Sequence, residues 1–135
     1  MSAFVLDASA LLAYLQDEEG ASEVAEHLAH KASMSAASFA EALSKFAEQG
    51  AEPRELVAKL EERGLLGGLI DVEPLTLDDA ITIAELHPST RELGIGLGDR
   101  ACLALGRRLG RPVMTADRVW TEVESAIKVD VYVFR

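Results

Sequence analysis

Apolar and polar residues fall along this chain in short blocks that switch between the period of a strand and the period of a helix. Ala3-Phe4-Val5-Leu6 is a continuous apolar run that stops at Asp7, the pattern of a strand buried on both faces of a parallel sheet. Leu11, Leu12 and Leu15 then recur at helical spacing, and after Gly20 a second helical stretch carries Val24 and Leu28. A short segment around Ser33 to Ser35 predicts the second strand. A helix follows from about Ala37 to Gln49, with Phe39, Leu43 and Phe46 as its apolar stripe and Gly50 as its stop.

Pro53 suits the first turn of a further helix, which carries Leu56, Val57 and Leu60 up to the Gly67-Gly68 break. Leu69 to Val72 reads as a strand. Thr76, Asp78 and Asp79 form an N-terminal cap for a helix through Ile83 and Leu86, with Pro88 expected at its end or just beyond. The loop Gly94 to Gly98 leads into a helix beginning near Asp99 and closed by Gly110, followed by the strand Pro112-Val113-Met114-Thr115. Val129 to Phe134 mixes apolar residues with Asp130 and Tyr132 and is placed at a sheet edge. Strands separated by helices predict a three-layer α/β/α sandwich with a mostly parallel sheet of about five strands. The short loops make residues 1–135 one domain.

Composition supports one core, with 49% hydrophobic residues in 135. No apolar run approaches membrane-spanning length, and Met1-Ser2-Ala3-Phe4 lacks the basic start of a secretory signal, so a cytoplasmic protein with no membrane partner is expected. The single cysteine, Cys102, excludes an internal disulfide and a thiolate metal site. A net charge of −10 argues against nonspecific coating of nucleic acid, which depends on cations displacing counterions from phosphates. Arg100, Arg107, Arg108, Arg111 and Arg118 nevertheless fall within one C-terminal stretch. They either form a phosphate-facing patch or solvate a helix face.

Acidic residues carry the candidate chemistry. Asp7 and Asp117 follow apolar strands directly, the edge of an open α/β sheet where ligands bind. Asp99 opens a helix, either at that same edge or as an ordinary cap. Glu41 lies roughly opposite its helix's apolar stripe with Lys45 at i+4; the residues alone describe an exposed ion pair worth about 0.3–0.5 kcal/mol.

Taken in order, Leu6-Asp7-Ala8-Ser9, Ala40-Glu41, Leu97-Gly98-Asp99-Arg100-Ala101 and Thr115-Ala116-Asp117 resemble the PIN-domain family, and more narrowly the VapC toxins of bacterial toxin–antitoxin pairs. The resemblance spans essentially the whole chain. It implies a Mg²⁺-dependent endoribonuclease, with Mn²⁺ as an alternative ion, that hydrolyses RNA phosphodiester bonds with a metal-activated water. Asp7, Glu41, Asp99 and Asp117 are then the catalytic acids and metal ligands, Asp7 and Asp99 most directly. Four such carboxylates require a cation, since each pair near 5 Å repels by about 3 kcal/mol at an effective dielectric of 20.

The same resemblance makes Ser9 and Thr115 hydroxyl partners of the ligating acids, although Ser9 equally suits the cap of the first helix. Arg100 and Arg118, each beside a proposed ligand, are candidates for RNA phosphate contacts or structural partners of those aspartates. A small antitoxin is expected at the N-terminal helices, with Leu11, Leu12, Tyr14 and Leu15 as contacts unless these are simply core. A homodimer is also implied. Where the family often has an amide before the helix acid, this chain has Ser38.

Two rivals remain. One is a catalytically silent acidic module that keeps the fold and binds a partner; the other is an aspartyl-phosphate phosphatase, disfavoured by Ser9 where a second aspartate is usual. His27 and His30, spaced i and i+3, are read as exposed helical histidines, Cys102 and Trp120 as core, and Asp78 with Asp79 as a helix-start pair. The glycines at 94, 96 and 98 do not match a dinucleotide fingerprint, and their expected role is to let the backbone approach the acidic pocket.

Overall fold

A computed structural model describes residues 3–135. Met1 and Ser2, part of the N-terminal stretch read for a targeting signal, lie outside the described residues. Among the described residues five strands, β1 (Phe4–Leu6), β2 (Ala32–Ser35), β3 (Ile70–Glu73), β4 (Val113–Thr115) and β5 (Val131–Val133), form one sheet in the order β3-β2-β1-β4-β5. Every pairing is parallel, with Leu6 opposite both Met34 and Met114. The expected edge strand is at the edge.

Among the described residues seven α-helices connect the strands: α1 (Ala8–Gln16), α2 (Ala21–Leu28), α3 (Ala36–Glu48), α4 (Pro53–Glu62), α5 (Leu77–Thr90), α6 (Leu97–Leu109) and α7 (Glu124–Ile127). Successive strand residues point to opposite faces, and the sheet's apolar runs feed a core on each side. Leu6 and Met114 pack with Leu11, Leu28, Phe39 and Leu60 from the first four helices. Val5 and Val113 pack with Leu86, Leu103, Trp120 and Ile127 on the other face. This is the expected α/β/α sandwich.

The local signals act as read at most boundaries. Pro53 occupies the start of α4, Gly110 caps α6 in the left-handed conformation at φ 65°, and the Thr76 hydroxyl and Asp79 carboxylate form a reciprocal capping box on α5. Pro88 does not end α5, which runs on to Thr90. Pro88 and Ala84 are both exposed, so the carbonyl left without its proline N–H faces water and the cost of the missing bond is small. Thr90 Oγ1 also donates to Leu86 O at 2.8 Å, tying down the last turn.

No helix among the described residues is long and apolar enough to cross a membrane. His30 lies past the end of α2, and His27 is half-buried rather than exposed, with its ring 4.5 Å from Phe4 and 5.2 Å from Tyr132. Cys102 and Trp120 are core, as expected.

Candidate functional site

The chain leaves β1 in one direction to β2 and on the other side pairs with β4, so a crevice opens at the carboxyl ends of β1 and β4. Asp7 follows β1 immediately and is only 5% exposed. It caps α1 itself: Oδ1 accepts the Ala10 backbone N–H at 2.9 Å and the Ser9 hydroxyl at 2.6 Å. Oδ2 accepts the Thr115 hydroxyl at 2.6 Å. Ser9 is therefore a partner of the acid and not the cap, and its Oγ accepts the Ala116 N–H in turn. Burial pushes the Asp7 carboxyl up to about 6 against the lowering effect of these three donors, and Asp99 adds to the rise.

Asp117 is joined to this network through Thr115, whose Oγ1 accepts the Asp117 N–H at 3.0 Å. Its own carboxylate accepts the Val119 N–H, and the side chain is exposed at the rim. Asp99 sits in the first turn of α6, which begins at Leu97, two residues before the start expected from sequence, and is half-buried. Burial, then the charge of Glu41 and that of Asp117, raise its carboxyl to about 6, opposed by the Gly96 N–H.

Glu41 does not pair with Lys45; the ion pairs among the described residues lie elsewhere. Its carboxylate lies over the start of α6, where a Cβ built on Gly98 would come within 2.9 Å of Glu41 Oε1. Asp99 is thus the hub of the acids, acting on Asp7 and acted on by Glu41 and Asp117. Cys102, one turn along α6 and fully buried, feels Asp7, Asp99 and Glu41. Burial and those charges push its thiol well up despite the Ser38 hydroxyl beside it, so it stays protonated and the exposed donors are all oxygen.

The arginines disperse. Arg108 Nε and Nη2 both bond the Asp79 carboxylate, Arg111 Nη1 donates to Ser33 Oγ, and Arg118 Nη2 donates to Arg135 O. Arg100 Nη1 donates to Ile83 O on α5 at 2.8 Å, directing its guanidinium across the helix pair. Asp79 caps the start of α5 as read and is also a buried ion-pair partner of Arg108 at 3% exposure. On α1, Leu11 is core and Leu12 half-buried, whereas Tyr14 and Leu15 line a groove of about 150 Å³ with Leu60, Arg63, Leu65 and Leu69.

Sequence reasoning missed the closeness of Cys102, signalled only by its place at i+3 from Asp99. Of the three glycines expected to let the backbone approach the acids, Gly98 alone makes a close approach, to Glu41.

The donor chemistry suits a hard divalent ion: oxygen ligands only, with the charges acting on Asp99 both negative. Among the described residues no three acidic, histidine or cysteine side chains converge tightly enough to grip one ion as they stand.

Comparison with known proteins agrees with this architecture. The PIN domain family model matches residues 4–125. The crystal structure of FitAcB from Neisseria gonorrhoeae is similar at a TM-score of 0.70 and 20% identity, covering 96% of each chain. A toxin–antitoxin complex from Klebsiella pneumoniae is similar at 0.63 and 15% identity, covering 84% of this chain and 86% of that one. The structure of FitAB bound to an IR36 DNA fragment is similar at 0.62 and 18% identity, covering 96% and 93%. Comparison with curated proteins gives no match. Similarity at these identities establishes the fold; the family match spans nearly the whole chain and encloses all four acids, and the chain therefore belongs to the PIN domain family.

Proposed function

We propose that this chain is a Mg²⁺-dependent endoribonuclease toxin, with Mn²⁺ able to substitute, held silent by a small antitoxin. The observation that carries the reading is the gathering of Asp7, Glu41, Asp99 and Asp117 around one sheet crevice, with Asp99 under the negative charge of two of the others. Asp7 and Asp99 would hold the ion, and Glu41 and Asp117 would reach it through waters, of which Mg²⁺ keeps several. Bound there, the ion would neutralise the pocket and polarise the scissile phosphate.

The remaining work belongs to the side chains. Ser9 and Thr115 fix both oxygens of Asp7, so its carboxylate is presented in one orientation. Glu41 and Asp117, both exposed at the rim, would orient the attacking water and accept its proton, while the ribose oxygen released as its bond to phosphorus breaks would take a proton from solvent. Arg118, exposed at the rim with a long 3.3 Å bond to Arg135 O, is the better candidate for an RNA phosphate, because Arg100 is half-buried and held at 2.8 Å by Ile83 O of α5.

The groove lined by Tyr14 and Leu15 is proposed for the antitoxin. Leu77 and Ile81, 79% and 51% exposed on α5, are proposed for a homodimer contact. Purified protein should cleave RNA, lose cleavage in excess EDTA, regain it with Mg²⁺ or Mn²⁺, and lose it in Asp7→Asn. Cleavage that persists in EDTA or in that variant would sink the proposal.

The looseness of the acid cluster favours one second reading, a silent acidic module that only binds a partner. Substitution of Asp99 by Asn would then leave growth unchanged on expression, whereas the nuclease reading requires that it relieve growth inhibition.

A further inference from the structure

Glycines at 94, 96 and 98 precede and open α6, yet they do different things. Gly94 has φ 72°, a conformation that side chains resist, and a Cβ on Gly96 would meet nothing within 4 Å. Gly98 lies inside α6 without a positive φ, so its backbone has no need of glycine. A helix interior favours almost any other residue over glycine. What Gly98 supplies is room: a Cβ there would stand 2.9 Å from Glu41 Oε1, closer than such atoms approach.

We propose that Gly98 is a positioning residue for Glu41, letting that carboxylate lie flat against the first turn of α6 beside Asp99. Two further observations agree. Glu41 forms no ion pair with Lys45, so its place is set by α6 rather than by its own helix. The amino end of α6, thirteen residues long, carries the positive end of the helix dipole and attracts a carboxylate brought that close. Any side chain at 98 would swing Glu41 outward at little cost to the fold, because the atom displaced is the tip of a flexible, exposed side chain.

The significance for metal binding rests on the nuclease reading; the contact itself does not. Melting temperatures of the metal-free protein test the contact in four versions: wild type, Gly98→Ala, Glu41→Ala and the double variant. Alanine at 98 should improve helix propensity in both backgrounds, but by less while Glu41 is present, because part of the gain is spent displacing it. An equal gain in both backgrounds would overturn the proposal. Titration calorimetry with Mn²⁺ then tests the consequence. Gly98→Ala should weaken binding about tenfold, Glu41→Asp should restore part of the loss in that variant, and Gly98→Ala should add nothing in the Glu41→Ala background. A loss of the same size in that background would also overturn it. If the wild-type protein binds no Mn²⁺ while the melting temperatures couple, the positioning contact stands and the nuclease reading falls.

Discussion

Asp7 shows what a single residue can be made to do. The same carboxylate caps a helix, anchors two hydroxyls and stands at the crevice floor, and none of its hydrogen bonds is to a cation side chain. Thr115→Val keeps shape but leaves Asp7 Oδ2 and the Asp117 N–H without their shared partner. Loss of buried bonds of this kind costs about 1–3 kcal/mol, so the urea midpoint should fall, and divalent-ion affinity should drop about 10–100-fold. Unchanged affinity in calorimetry would separate Thr115 from the site.

Asp99 makes a prediction in the opposite direction. Its folded carboxyl is raised from 3.8 to about 6 by burial and then by Glu41 and Asp117, so the folded state holds the proton more tightly than the unfolded chain. Stability in divalent-free buffer should therefore fall as pH rises from about 4 to about 6. Asp99→Asn removes that penalty. The variant should melt a few degrees above wild type at pH 7.5, with the gap closing near pH 4. A lower melting temperature at pH 7.5 would mean that the charge is not a burden there.

At the scale of elements, the α5–α6 pair is fastened by Asp79 and Arg108. Burial opposes ionisation of Asp79, but the Arg108 hydrogen bonds, the Thr76 N–H and the guanidinium charge outweigh it and hold the carboxyl below 3.8. The pair therefore stabilises above the unfolded carboxyl's range and loses its contribution only as pH falls through the depressed folded value. Arg108→Met strands a nearly buried carboxylate and should cost roughly 2–4 kcal/mol at pH 7. Adding Asp79→Asn should recover part of it, as read by urea denaturation. Because α6 also carries Asp99, this clamp holds one wall of the crevice, and Arg100 supports it through Ile83 O.

For the whole molecule, α5 presents large apolar side chains to solvent. The strand order places the acids at the carboxyl edge, while Leu77 and Ile81 lie on an outer face of α5. If that face seats a second copy, Ile81→Lys should convert a dimer to a monomer by light scattering while leaving the acid site intact. A wild-type protein that is monomeric at micromolar concentration would remove the homodimer from the account.

Much of this was written locally. Apolar runs, the Thr76 cap, Pro53 and Gly110 act within a few residues, so the order of elements, the parallel sheet and the strand-end places of Asp7 and Asp117 could be read directly from sequence. Pro88 was misread because whether a proline breaks a helix depends on which side of that helix faces water, and neighbours decide that. The partners of charged residues were equally out of reach. Arg108 finds Asp79 across 29 positions, Thr115 finds Asp7 across 108, and Glu41 abandons Lys45 for the space at Gly98. Hydrogen bonds and charge act over a few ångströms in space, irrespective of distance along the chain; the identity of the acids was local information, and their assembly into one crevice was decided only by the fold.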